Sequence, residues 1–257
     1  CYQTGRYEDA MEVAKKANEI AIELFGDSHP VTASTWNNLA LLHRVHRQDY
    51  AGAAKLYELA LKAYKESVGE KHTSYLTCLN NLGLTYHSLG DLSRAHSVLT
   101  SVVDHYSSVD PASLKTSLPY AHAQMNLASV LRDRHGSEDE KMKAIQLFQA
   151  ALKIVQRKYG QEHPLVGTIF NNMGLTHKMW GDYTKALPLY QQSLDIRSRN
   201  LPPQHPDLII TLNNLAECLR SMGKEDAAQA VQQKMMQIME VDASEETEAT
   251  KAEGTKS

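Results

Sequence analysis

The sequence predicts an all-α chain built as an α-solenoid of antiparallel helix pairs, and three regularities carry that expectation. An Asn followed by an apolar–small pair recurs as Asn38-Leu39-Ala40, Asn81-Leu82-Gly83, Asn126-Leu127-Ala128, Asn172-Met173-Gly174 and Asn214-Leu215-Ala216. The spacings are 43, 45, 46 and 42 residues, and self-similarity at a fixed period of this length marks a repeat array. A small residue keeps step further on, at Ala53, Ala95, Ala144, Ala186 and Ala228. Four places after it stands a large one in most units, Tyr57, Leu99, Phe148 and Tyr190, with Gln232 in the fifth. Between these landmarks lies a polar turn: Gln48-Asp49-Tyr50, Gly90-Asp91-Leu92, Gly181-Asp182-Tyr183 and Gly223-Lys224. Gly releases one helix through a left-handed residue, and Asp caps the next.

Taken in order, residues 1–24 read as a lone second helix, with Gly5-Arg6-Tyr7 as its turn and Ala10 at the small position. The partner helix of that pair is absent before Cys1, so the sequence reads as a piece of a longer array. Residues 25–241 hold five helix pairs. In their first helices Trp36, Leu39 and His43 stand at i, i+3 and i+7, as do Leu79, Leu82 and Tyr86, and Phe170, Met173 and His177. Each set is one apolar stripe at helical spacing. The third pair is irregular, with insertions expected as loops near residues 107–119 and 135–141. The last helix, about 224–241, exposes Gln229, Gln233 and Gln237 and suits an end cap. Residues 242–257 are rich in Glu, Thr, Ala and Lys without an apolar period, and are expected to form a disordered polar tail.

The bulk composition agrees with helices and excludes other classes. Apolar residues make up 42% of 257, enough for a core, and Pro is sparse at eight. A net charge of −3, from 27 basic and 30 acidic residues, gives no footprint for nucleic acid. Cys1, Cys78 and Cys218 lie too far apart for a zinc site or a disulfide framework. A reduced, cytoplasmic protein is expected. No apolar run reaches the ~18 residues of a membrane span.

The long period continues at four of the five handovers, as Gly26-Asp27-Ser28-His29-Pro30, Gly69-Glu70-Lys71-His72, Gly160-Gln161-Glu162-His163-Pro164 and Gln204-His205-Pro206, while the third repeat has Ser107-Ser108-Val109-Asp110-Pro111 through Pro119 instead. The pattern resembles the tetratricopeptide repeat, whose signature runs W-x2-L-G-x2-Y, then A, then F. With Gly-x-x-His-Pro and Asn-Asn-Leu-Ala in a unit longer than the usual ~34 residues, it is similar to the kinesin light chain family and to relatives such as nephrocystin. The resemblance covers roughly residues 5–241. It implies a right-handed superhelix whose first helices line a concave surface.

No phosphate-binding loop, H-E-x-x-H or Gly-x-Ser-x-Gly elbow is present, so catalysis is not expected, nor is a cofactor. The handover residues His29, His72, His163 and His205 stand one per unit. Neighbouring helices pack roughly 10 Å apart, too far for these rings to share a metal whose ligands lie at ~2 Å. They read as helix-entry signals ahead of a Pro at the first helical position. His43 and His46 read as a packed or solvated pair.

The candidate site is on the first helices. Residues i and i+7 share a face, which pairs Asn37 with Arg44, Asn80 with His87, Asn171 with Lys178 and Asn213 with Arg220. The third unit has Met125 with Arg132. The first member of each pair lies about 200° from the core stripe. The resemblance implies that these pairs line the groove. An Asn amide donates and accepts, so a row of amides holds an extended main chain. Each bond nets only ~0.5–1.5 kcal/mol, so several must act together. Arg44, Arg132, Lys178 and Arg220 favour acidic residues on the ligand, although the helix dipole alone would also favour a basic last turn. The second amides, Asn38, Asn81, Asn126, Asn172 and Asn214, lie only about 100° from the core. Two readings stand for them, contact with ligand or a bridge between adjacent helices.

The expected function is a protein-binding adaptor for short acidic linear segments. By resemblance, the partners include a kinesin motor or its cargo. Two other readings stand: a structural scaffold working through its convex face or edges, and the sensor arm of a larger NTPase.

Overall fold

A computed structural model describes residues 2–108 and 111–254, with side chains described for 7–108 and 113–239. Regular structure among the described residues is entirely helical. The helices are α1 (Tyr2–Phe25), α2 (Pro30–His46), α3 (Tyr50–Ser67), α4 (Thr73–Ser88), α5 (Leu92–Ser107), α6 (Pro111–Leu114), α7 (Leu118–Asp133), α8 (Glu138–Tyr159), α9 (Pro164–Met179), α10 (Tyr183–Asn200), α11 (Pro206–Ser221) and α12 (Glu225–Gly254). The first helices of the repeats are α2, α4, α7, α9 and α11. The second helices are α3, α5, α8, α10 and α12, and α1 is a second helix by its sequence landmarks.

Two compact units divide the chain, Cys1–Ser137 and Glu138–Ser257. In the first unit each second helix packs on the first helix that follows it, α1 on α2, α3 on α4 and α5 on α7. The first helices also touch in sequence, α2 with α4 and α4 with α7. The second unit repeats this scheme, with α8 on α9, α10 between α9 and α11, α12 on α11, and α9 touching α11.

Burial explains why the landmarks keep step. Ala53, Tyr57, Ala95, Leu99, Ala144, Phe148, Ala186 and Tyr190 are all fully buried. The small residue on the first helix marks a close approach to its partner. A Cβ on Gly83 would fall 2.6 Å from Leu99 Cγ, and one on Gly174 would fall 2.9 Å from the Tyr190 ring.

The helix ends follow from caps and left-handed residues. Asp49 and Asp91 accept from the backbone N–H of Gly52 and Arg94, each at 2.9 Å. The turn between helices passes through positive φ at Gly90, Gly181 and Gly223. In the first and third repeats the same left-handed residue is Gln48 (φ 52°) or His135 (φ 47°), where a Cβ is strained.

Each handover histidine acts as an N-cap. Its Nδ1 accepts from the backbone N–H two residues on, His29 from Val31, His72 from Ser74, His163 from Leu165 and His205 from Asp207, at 3.1–3.2 Å. His29 also stacks on Phe25 at 4.7 Å and His163 on Tyr159 at 4.3 Å, so these rings join consecutive helices.

Three expectations need correction. The extra residues near 135–141 do not form a loop throughout, because α8 starts at Glu138. Glu138, Asp139 and Glu140 fill its first turn, where the helix dipole favours acids. The insertion near 107–119 contains the helical turn α6, and Pro119 lies in the first turn of α7. Val109 and Asp110 lie outside the described residues. The polar stretch 242–257 is helical up to Gly254, since Ala, Glu and Lys propagate a helix without burying a face. Residues 255–257 lie outside the described residues.

Candidate functional site

Asn doublets occupy the middle of α2, α4, α9 and α11, because the next residue, Leu39, Leu82, Met173 or Leu215, is anchored in the core. In α7 the first position is Met125 and only Asn126 remains. Neighbouring doublets are joined by hydrogen bonds. In the first unit Asn81 Nδ2 donates to Asn37 Oδ1 at 3.4 Å, and Asn126 Nδ2 donates to Asn80 Oδ1 at 3.0 Å. In the second unit Asn214 Nδ2 donates to Asn171 Oδ1 at 3.1 Å. The second amide of one repeat thus bridges to the first amide of the repeat before it.

That geometry assigns the amides separate duties. Asn81, Asn126 and Asn214 each spend a donor on architecture and keep the carbonyl oxygen. Asn37, Asn80 and Asn171 each spend the carbonyl oxygen and keep the amide donors, although Asn37 also donates to Asn38 Oδ1 at 3.4 Å. Asn171 is buried, Asn37, Asn80 and Asn172 are half-buried, and Asn38 and Asn213 are exposed. Asn213 turns along its own helix to Glu217, at 3.1 Å.

Most of the basic column is already paired with acids of the chain. His87 Nε2 lies 2.7 Å from Asp133 Oδ2. Arg132 Nε donates to Asp133 Oδ1 at 2.6 Å, and its Nη2 donates to Oδ2 at 3.1 Å. Burial pushes the Asp133 carboxyl up, but the hydrogen bonds from His87 and Arg132 hold it well below the ordinary carboxylate range. Lys178 Nζ donates to Glu217 Oε2 at 2.6 Å, and this bond holds Glu217 below its ordinary value. Arg220 Nε stands 3.6 Å from Glu225 Oε1. Arg132 is only 7% exposed, so it does not stand out into a groove as the helical arithmetic expects. Arg44 is half-buried beside the Tyr57 hydroxyl, whose pKa burial pushes up to about 12 against the pull of Arg44. Among the described residues it has no carboxylate partner.

Two acids, Asp133 and Glu217, thus complete the site and carry no motif that would single them out. Arg197 carries none either. Only 2% exposed, it donates to the Asp207 carbonyl at 2.6 Å, to the Thr168 hydroxyl at 2.9 Å and to the Thr211 hydroxyl, so it ties α9, α10 and α11 together. Its column, eleven places after the small residue, holds Tyr64 and Tyr106 in the first unit. The replacement of a ring by a guanidinium is the one available signal.

His43 and His46 turn to different partners, His43 to Asp49 at 2.9 Å and His46 to the Tyr7 ring at 3.5 Å. No group of three or more His, Cys, Asp or Glu among the described residues could hold a metal ion. No helix among them is long and apolar enough to cross a membrane.

The loop edge carries a second recurring feature. In the first unit a pocket of about 120 Å³ has Trp36 in its wall beside Asp27, Ser28, Leu59, Lys62 and Glu66. In the second, a pocket of about 260 Å³ has Phe170 in the same place beside Gln161, Glu162, Gln192, Asp195 and Arg199. Position by position these are equivalent residues of two repeats, with different charges.

Comparison with known proteins returns the same repeat. The tetratricopeptide repeat model matches residues 1–66, 44–108, 119–199 and 181–240. RxLR effector protein SFI4 of Phytophthora infestans (strain T30-4) is 25% identical over 99 residues, 38% of this chain. The match spans 29% of that relative's length. Among solved structures, BtubC (BKLC) from P. vanneervenii superposes with a TM-score of 0.74 at 20% identity, covering 92% of both chains. A kinesin light chain-type protein of Podospora anserina with nearly identical TPR-like repeats gives 0.66 at 19% identity, over 82% of this chain and 96% of its own. The apo form of RapI gives 0.64 at 16% identity, over 85% and 74%. At these identities the likeness is one of fold.

Proposed function

This chain belongs to the tetratricopeptide repeat family, and on that premise we propose that it is an adaptor whose first helices hold short linear segments of partner proteins. One observation carries the proposal, the asparagine row. Each linked pair leaves an amide donor on the earlier helix and a carbonyl acceptor on the later one. These are the two groups an extended main chain needs. Within each unit the linked amides are already tied together, so a ligand meets amides whose positions are fixed there, which lowers the ordering cost of binding.

An acidic ligand residue fits beside Arg44, the cation in the column without a carboxylate of its own among the described residues. The other cations support acidic ligands less, because Asp133, Glu217 and Glu225 share their charge. The fold likeness to kinesin light chain-type repeats makes cargo peptides a reasonable class to try.

The test is fluorescence anisotropy with labelled acidic and neutral peptides against the parent chain and the variants Asn80→Ala, Asn171→Ala and Arg44→Ala. Loss of one main-chain hydrogen bond, ~1 kcal/mol, corresponds to about a fivefold weaker Kd. Each Asn variant should lose about that much for every peptide, and Arg44→Ala should lose more for the acidic ones. Equal affinity in all three variants would sink the groove reading.

The paired loop-edge pockets favour a second reading, a scaffold that uses its edges. Crosslinks from a native complex that cluster around Trp36 and Phe170 and avoid the asparagine row would support it.

A further inference from the structure

The end face of the second unit has chemistry that the asparagine row does not use. An apolar pocket of about 320 Å³ lies there, lined by Gln204, Pro206, Ile209, Ile210, Ile238 and Met239. Ile210 is 50% exposed, Met239 55% and Met236 56%. Three large apolar side chains open to water beside a cavity form more than scattered surface residues.

The repeat itself says what covers such a face. Met239 stands eleven places after Ala228, the position of Tyr106 in α5 and Arg197 in α10. Both of those meet the first helix of the following repeat. The Tyr106 ring lies 5.6 Å from that of Tyr120 on α7, and Arg197 bonds Asp207 and Thr211 on α11. Met236 stands eight places after Ala228, the position of Leu61 and Val103, both buried. The α12 face therefore continues the stacking surface that joins α3 to α4, α5 to α7 and α10 to α11.

Its chemistry departs from the interior pattern in one direction. Position 210 is Ser34, Thr77, His122 and Thr168 in the other repeats, and in the fourth repeat Thr168 receives a hydrogen bond from Arg197. In the last repeat both partners are apolar, Ile210 and Met239. A polar tie has become an apolar socket, and Met is suited to adaptable apolar contact.

We propose that this socket docks an amphipathic helix from a partner protein, seated as a repeat's first helix is seated and inserting a large apolar side chain between Ile210 and Met239. Self-association of the parent chain in sedimentation, lost in Ile210→Asp and Met239→Asp, would assign the face to a second copy instead and overturn the proposal.

The chain supplies its own probe, a labelled synthetic peptide copying residues 72–89, which carries the stripe Leu76, Leu79, Leu82 and Tyr86. Titrated into the full chain, it should bind saturably, and a scrambled peptide should not. Ile210→Asp and Met239→Asp are surface changes, and far-ultraviolet circular dichroism would verify the fold. Each should weaken binding at least tenfold. An excess of an unlabelled acidic peptide of the kind offered to the asparagine row should not displace the probe, which separates the socket from the groove proposed above. The socket is refuted by an absence of saturable binding, or by unchanged affinity in both socket variants. It is equally refuted if only Leu24→Asp, on the exposed Val13, Ile20 and Leu24 stripe of α1, abolishes binding.

Discussion

At the scale of single residues, the departures from the repeat are more informative than the consensus. Gln48 and His135 occupy left-handed positions that are Gly in the other three repeats, at Gly90, Gly181 and Gly223. A Cβ there costs roughly 1–2 kcal/mol, so Gln48→Gly is expected to raise the midpoint of chemical denaturation by about 1 kcal/mol in stability. The N-cap histidines give a second expectation. His163→Ala removes the acceptor for the Leu165 N–H and should cost about 1 kcal/mol, whereas His163→Asn should retain most of it; urea unfolding would measure both. Asp133 predicts a pH dependence. Its carboxyl is depressed in the folded state, so its contribution is present above the unfolded value near 3.8 and is lost as pH falls through the folded value. Asp133→Asn should therefore be less stable at neutral pH and should lose less stability than the parent on acidification to about pH 3.

At the scale of elements, the close contacts decide what can vary. The Gly83 and Gly174 positions leave no space for a larger side chain, so Gly83→Leu is expected to destabilise by about 1–3 kcal/mol through overpacking against Leu99. Arg197 behaves differently. Burial lowers its pKa against the pull of Asp207, and its work is to satisfy oxygens on two other helices, α9 and α11. Truncation to Ala should cost about 3 kcal/mol or more, from lost packing and unmet polar groups. Replacement by Tyr, the residue of two equivalent positions, should be milder. A thermal melt of both variants tests that ordering.

The sequence made these elements legible to different degrees. The helix pairs were plain because Asn, Ala and Gly recur where backbones approach closely. The bridging duty of Asn81, Asn126 and Asn214 was one of two open readings, since an angle of ~100° from the core suits both. The pairing of His87 and Arg132 with Asp133 was not legible, because periodicity gives the face of a residue but not its partner across the gap. The helix beyond residue 241 is illegible for another reason. A stretch with no apolar face carries no amphipathic signal, while its Ala, Glu and Lys residues still favour helix.

At the scale of the whole molecule, a repeat array gains stability from nearest neighbours. Protection against amide exchange is expected to be lower in α1 and α12, each packed on one first helix, than in α4 and α10, each packed on both sides. Exchange followed by mass spectrometry would test that ordering.

The asparagine row has one more consequence. Every described link between doublets runs the same way, from an Nδ2 on the later helix to an Oδ1 on the earlier one, both in the first unit and in the second. The amide dipoles in each run therefore add rather than cancel. A row of that kind has a head and a tail, so a bound strand and its reversed copy would meet different electrostatic surfaces. The same amino acids in reverse order would be a different ligand, and the array would read direction as well as composition.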